Sequence, residues 1–386
     1  MKAWAKCRLG AASPGGLALP AANPTESQMY APRGVFLNED WLAVADSGNH
    51  RILLWRGLPE RDGQAADVVL CQPDFVTEGP SAHGRGPENG LHLPTGVAIH
   101  DGRLLVADAW HHRILVWEEV PELSDTPPDY ALGQPDLASI EPNQGAETRG
   151  NTLYWPYGFG FAGDWFYIAD TGNRRVLGWR GFPHPDQMPH LILGQADEFC
   201  KDENRGGPVS AGSFRWPHAI VGDRETLYVA DAGNHRVLGW DGLPTEDRDA
   251  DLVLGQKDFS SALEWPYTAQ GAAALRFPYS LALQDERLVV ADTANNRLLV
   301  WEDLPRAGAG IAADSVVGQV DFQGNGENRW KAVTGDTLCW PYGLALFEKT
   351  LAVADSGNNR VTLWEMEACR DKMNEETPVA AGVGEL

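Results

Sequence analysis

Along this chain, short apolar runs alternate with clusters of Gly, Asn, Asp and Pro, and the alternation repeats six times with a period of about 62 residues. The most regular stretch is V-A-D-x-G-N-x-R-[VIL]-L-x-W. It reads VADSGNHRILLW from Val44, VADAWHHRILVW from Val106, IADTGNRRVLGW from Ile168, VADAGNHRVLGW from Val229, VADTANNRLLVW from Val290 and VADSGNNRVTLW from Val353. Its aspartates, Asp46, Asp108, Asp170, Asp231, Asp292 and Asp355, lie 62, 62, 61, 61 and 63 residues apart. A proline and a short apolar run precede each copy (PRGVFL, PTGVAI, PYGFGF, PHAIVG, PYSLAL, PYGLAL), and all but the last are followed by an apolar run ending near Gly-Gln-x-Asp-Phe. Each unit therefore carries four runs with the composition and punctuation of β-strands. Four strands per unit in tandem predict propeller blades, each covering its neighbour's face. The D-x-G-N-x-R stretch reads as a tight turn in which Gly supplies the φ > 0 position and Asp accepts backbone N–H bonds.

The pattern predicts an all-β fold: a six-bladed β-propeller of four-stranded antiparallel blades over residues 1–370. The last unit lacks its Gly-Gln-x-Asp-Phe run. Gly10 precedes Pro32 by 22 residues, against 23 for the internal equivalents such as Cys71 to Pro94. The segment at about 3–10 is thus expected to supply the missing outer strand, in preference to Pro378-Val379-Ala380-Ala381-Gly382. Residues 371–386 read as a tail, disordered or an added strand.

D-x-x-N-x-R-[VIL] after an apolar strand, five times over and a sixth time with His111 for the Asn, resembles the NHL repeat, and the resemblance covers essentially the whole chain. It implies six blades around a central channel. The period departs from it, since a four-stranded blade usually takes about 40–50 residues. The surplus falls mostly between the fourth strand of one unit and the proline of the next.

Charge narrows the function. With 31 basic against 54 acidic residues the net charge is −23, a field that repels phosphate backbones and anionic headgroups. Some NHL propellers bind RNA, yet this charge argues against nucleic acid. No segment approaches the roughly 20 apolar residues of a membrane span, so no membrane association is expected. The five cysteines have no C-x-x-C spacing, which points to reduced thiols in a cytoplasmic protein, expected to be a monomer.

A residue present in all six units serves the fold, so the Asp, Arg and Trp columns read as structural. Function should sit where copies differ on a shared face. The long inter-blade loops and the D-x-G-N-x-R turns fall on one rim, and such loops commonly carry binding residues. The position after each proline reads Arg33, Thr95, Tyr157, His218, Tyr279 and Tyr342, and the position before it includes Trp155, Trp216 and Trp340. The next residue along is always small, as expected where six strands crowd an axis. These side chains are predicted to ring the channel mouth as an aromatic ligand pocket, or else to plug it. The second anomaly is Trp110-His111-His112, which replaces Gly-Asn-x in the second unit. Trp in that turn is expected to alter the hairpin geometry and to mark a partner contact.

The expectation is a binding or scaffolding protein whose protein, peptide or small-molecule partner is unspecified, with no metal and no cofactor. The alternative is a propeller hydrolase or lyase with its site at the channel mouth. Such enzymes hold axial metals with carboxylates, amides or histidines, whereas the ring expected here has no carboxylate and one histidine.

Overall fold

The computed structural model describes residues 3–11 and 23–366. Six antiparallel sheets, each with four strands of the predicted order, stand around one axis. The first holds Gly34–Leu37, Trp41–Asp46, Arg51–Arg56 and Val68–Leu70 from the axis outward. The sheet containing the chain's last strand, Arg360–Met366, takes Ala3–Gly10 as its outer strand, paired from Ala3↔Met366 to Gly10↔Arg360. The fourth sheet gains a fifth, two-residue strand, Gly308–Ala309, parallel to Leu252–Leu254. The proposed tail, 371–386, and the rival closing segment lie outside the described residues.

The second and third strands are apolar on both faces because each blade is covered on both sides. Trp165–Asp170 is buried throughout, and Tyr167 and Val176 share a core with Val229 and Leu238 of the next blade. An equivalent core joins Ala352 and Leu363 of the sixth blade to Leu42 and Trp55 of the first, so the ring is closed. The Trp near the end of the third strand is buried in this layer; in the first five blades its indole N–H reaches a loop carbonyl, as from Trp55 to Gln64 at 3.0 Å, and in the sixth Trp364 donates to the Thr362 hydroxyl at 2.8 Å. Burial of such a side chain contributes about 3 kcal/mol.

Register is the same in every blade: the motif Asp pairs with the motif Arg across the second hairpin, as Asp46↔Arg51 and Asp170↔Arg175. The connection is a single 3-10 turn closed by a left-handed residue, for instance Ser47–Asn49 followed by His50 at φ 55°. Gly48 does not hold the positive φ that turn chemistry suggested. It is small because a Cβ there would stand 2.6 Å from the Tyr30 carbonyl oxygen.

Each motif Asp and Arg forms a buried latch. The Arg Nε donates to Asp Oδ2 at 2.7–3.0 Å. Its terminal nitrogens donate to loop carbonyls: Arg51 reaches Thr25, Gln28 and Phe75, and Arg175 reaches Arg149, Thr152 and Glu198. The other Asp oxygen accepts the N–H of the residue two before the proline, at 2.6–2.9 Å. These bonds fasten the long inter-blade loops over the blade edges, so the 62-residue period ends in ordered loops on one face.

Candidate functional site at the channel mouth

The inner strands crowd the axis so closely that only small residues follow the ring position, glycine in four blades and Ala219 and Ser280 in the other two. A Cβ on Gly34 would lie 2.9 Å from Gly96 Cα, and one on Gly158 would lie 2.5 Å from the His218 carbonyl oxygen. This sets the residue just before each small one at the mouth, facing its five counterparts.

Five of the six pre-proline residues, Ala31, Leu93, Trp155, Phe277 and Trp340, are held at φ 46–52°, a conformation costly for side chains of this size. The hold comes from the preceding blade. The left-handed residue of its turn accepts the pre-proline N–H: His50 Nδ1 from Leu93, His112 Nδ1 from Trp155, His235 Nδ1 from Phe277, Asn296 Oδ1 from Trp340 and Asn359 Oδ1 from Ala31, at 2.8–3.3 Å. At the remaining interface the turn residue is Arg174, which has no acceptor. There alone the pre-proline residue, Trp216, avoids positive φ and gives its N–H to Asp231 instead, at 3.2 Å. His50, His112, Arg174, His235, Asn296 and Asn359 occupy one column of the repeat, between the motif Asn position and the Arg. The signal was present: His and Asn both carry an acceptor one atom beyond Cγ, and Arg does not.

The imidazoles must be neutral to accept. Burial, with like charge on neighbouring histidines, lowers the His50 and His112 pKa values to about 4, and burial lowers that of His235.

Arg33, Thr95, Tyr157, His218, Tyr279 and Tyr342 all line one axial cavity of about 180 Å³. Four of them stack in sequence around it: Tyr157 to His218 at 4.0 Å between ring centroids, His218 to Tyr279 at 4.5 Å and Tyr279 to Tyr342 at 4.9 Å. Arg33 lies over the Tyr342 ring at 5.1 Å, and the Thr95 hydroxyl donates to the Tyr157 carbonyl at 2.6 Å. The aromatics thus crowd together as a plug would, yet leave a cavity.

Two polar atoms here are buried without a hydrogen-bond partner. The Tyr157 hydroxyl comes within reach of the Arg33 guanidinium but forms no well-aligned bond, and the Trp155 indole N–H has none. Burial pushes the Tyr157 phenol well up and that of Tyr279 up to about 12, so both stay protonated donors. His218, whose Nδ1 contacts the Trp216 carbonyl at 2.8 Å, is lowered to about 3 by burial and by Arg33. It is a neutral ring with Nε2 as its acceptor.

The blade-two anomaly resolves differently for its three members. Trp110 does not disturb the hairpin, contrary to expectation: the turn keeps its 3-10 form and His112 its left-handed geometry (φ 58°, ψ 42°). His92 stands at the position of Tyr30 and Tyr154, whose backbone carbonyls accept the Gly48 and Gly172 N–H at 2.8 Å, and the Trp110 indole packs against its ring at 5.8 Å. His111 takes over from Asn, its Nδ1 2.9 Å from Asp108 Oδ2, and is buried. His112 is the staple to Trp155. Trp110 is 46% exposed and meets Trp155 at 6.2 Å, and Trp155 in turn meets Tyr157 at 5.8 Å and His218 at 6.1 Å. The two sequence-predicted sites are therefore one continuous aromatic surface, bridged by Trp155. Trp340 is 38% exposed beside the mouth, and its indole N–H bonds Glu327. Trp216 stacks on Phe277 at 6.4 Å.

Among the described residues no group of three or more His, Cys, Asp or Glu is placed to hold a metal, and no helix is long and apolar enough to cross a membrane.

A profile of the NHL repeat matches residues 91–117, the inner three strands of the second blade and the loop before them. The chain is 23% identical over 308 residues to NHL repeat-containing protein 2 of Bos taurus, a match covering 72% of this chain and 40% of that protein. The chain thus spans well under half the length of this relative. Solved structures similar to it include a protein of unknown function from Bacteroides thetaiotaomicron (12% identity, TM-score 0.48, 93% of this chain and 75% of that one). Virginiamycin B lyase from Staphylococcus aureus (12%, 0.44, 89% and 97%) and hydrazine synthase from Kuenenia stuttgartiensis (12%, 0.48, 90% and 97%) are also similar. The chain is a six-bladed β-propeller, and its six Asp–Arg latched repeats, the profile match and the curated relative all support NHL-type repeats as its blades.

Proposed function

We propose that the protein is a binding propeller that takes a small molecule or a peptide at the channel mouth, on the face bearing the long loops. One observation carries this reading: the repeated polar groups are used up inside the fold, whereas the varied side chains at the axis share a cavity and retain unbonded polar atoms. A concave, largely aromatic site with few converging polar groups is the usual form of a ligand site. Trp110, Trp155 and Trp340 extend it outward as contact surface for a larger partner.

Acid–base chemistry fits the site less well. A histidine lowered to about 3 is a weak base near neutrality, and among the described residues no carboxylate lines the cavity beside it. The described cysteines are free thiols, consistent with a cytoplasmic setting. The acidic surface disfavours nucleic acid as the partner.

The test is a crystallographic soak with a mixed library of neutral, acidic and basic fragments. Binding events should concentrate at the mouth, against Tyr157, His218 and Trp155. Fragments that gather on the opposite face or between outer strands, leaving the mouth empty, overturn the proposal.

A further inference from the structure

The six latch arginines have their guanidinium nitrogens occupied by one carboxylate and several carbonyls. Arg33 is built differently. Among the described residues it forms no ion pair; its guanidinium lies over the Tyr342 ring and beside the Tyr157 hydroxyl. It is half-buried, and it is the one formally charged residue lining the axial cavity. An arginine withdrawn from water in a chain with 54 acidic side chains would readily find a carboxylate partner if the fold supplied one. Among the described residues no carboxylate lines the cavity. Beside the guanidinium stands Tyr157, 5% exposed, with its hydroxyl unpartnered.

We propose that the axial cavity binds a small monocarboxylate, its carboxylate against Arg33 and the Tyr157 hydroxyl and its apolar body in the channel below. The inference rests on the binding-propeller reading and names the ligand class for that site. Arg33 offers a planar fork matched to a carboxylate, and a phenol that stays protonated adds an O–H donor. The deeper wall supplies Val35, Val97, Phe159, Ile220, Leu281 and Leu344, each two residues further along its inner strand. About 180 Å³ is slightly more than the roughly 150 Å³ cavity known to accept benzene, so the body is the size of a phenyl or branched aliphatic group. The net charge of −23 opposes multiply charged anions, phosphate esters among them. A free acid and the C-terminal carboxylate of a peptide present the same head group, and the flanking tryptophans could contact the rest of a peptide.

The experiment is calorimetric titration of the full chain at pH 7 with benzoate, its neutral isostere benzamide, and N-acetyl-Gly-Phe. Benzoate should bind saturably and at least tenfold tighter than benzamide. Arg33→Gln should erase that difference, and Tyr157→Phe should reduce it several-fold, with near-UV circular dichroism unchanged in both variants. Tighter binding of N-acetyl-Gly-Phe than of benzoate would identify a peptide C-terminus as the source, and the reverse a free acid. If benzamide binds as well as benzoate, or if Arg33→Gln leaves benzoate affinity intact, the monocarboxylate assignment is overturned while the binding face stands. If none of the three probes binds, the assignment is likewise overturned, and the fragment soak alone then judges the binding face.

Discussion

Two rings of polar side chains encircle the same axis and differ in one respect. In the outer ring, the Asp and Arg of the latch recur six times, fully buried, with carboxylate oxygens and guanidinium nitrogens bonded within the blade and its loop. In the inner ring, four residue types share six equivalent backbone positions, and Arg33 and the Tyr157 hydroxyl have bonding capacity to spare. A charge removed from water is tolerated only when paired and fully hydrogen-bonded. The repeated ring satisfies that rule without help, which is why it repeats. The varied ring leaves it to be satisfied by something from outside.

The comparison is broken most severely at the latch. Asp170→Asn keeps the shape but removes the charge that balances Arg175, leaving a guanidinium buried at 0% exposure. The expected cost is about 3–5 kcal/mol, read as a fall in the urea unfolding midpoint or as loss of soluble protein. Arg33→Gln, an equally drastic change of charge in the inner ring, should move the midpoint by no more than about 0.5 kcal/mol. Equal effects from the two would mean that Arg33 is structural after all.

Acid provides the next probe, acting between the two rings. His50, His112 and His235 accept backbone N–H bonds in the neutral form, and their folded pKa values lie below the unfolded value of 6.5, to about 4 for the first two. Protonation therefore favours the unfolded chain. Stability is complete above pH 6.5 and is lost as pH falls from there toward 4. Urea midpoints measured between pH 7 and 4.5 should decline, and the paired substitution His50→Asn and His112→Asn should flatten the decline, because Asn296 and Asn359 perform the same task without titrating.

A single staple carries a smaller effect. His112→Ala strands the Trp155 N–H and places alanine at φ 58°, for a loss of about 1–2 kcal/mol. His112→Asn should restore nearly all of it, since asparagine both accepts the bond and tolerates the left-handed region. Failure of asparagine to rescue would assign the cost to the ring contact with Tyr154 at 5.2 Å.

The blade number and strand order were legible because each blade needs its own Asp, Arg and Trp, so the architecture is written six times in succession. The turn was less legible. Gly48 looked like the positive-φ residue because the usual signals are local, whereas the constraint on it comes from the carbonyl of Tyr30, 18 residues upstream. For the same reason Trp110 seemed disruptive: the ring it packs against, His92, lies 18 residues upstream. The axial residues could be found from their position after the prolines, since strand crowding fixes where they point. Their bonding state could not, because whether Arg33 meets a carboxylate depends on which side chains five other blades bring to the axis.

The smallest expected effect discriminates best between the rings. Removing a hydroxyl that has a partner leaves that partner stranded and destabilises the fold, while removing an unpartnered buried hydroxyl relieves a desolvation cost. Tyr157→Phe should therefore leave the unliganded protein as stable as before or raise its stability by about 1 kcal/mol. Tyr167 is a second buried tyrosine whose hydroxyl lacks a partner, placed between blades rather than at the axis. Tyr167→Phe should match Tyr157→Phe in unfolding midpoint and leave benzoate affinity unchanged, so the two variants separate a ligand-directed hydroxyl from one that is merely buried. A drop of more than about 1 kcal/mol for Tyr157→Phe alone would show that its hydroxyl is bonded in the free protein, to Arg33 or to water, and would place Tyr157 with the self-satisfied groups of the outer ring.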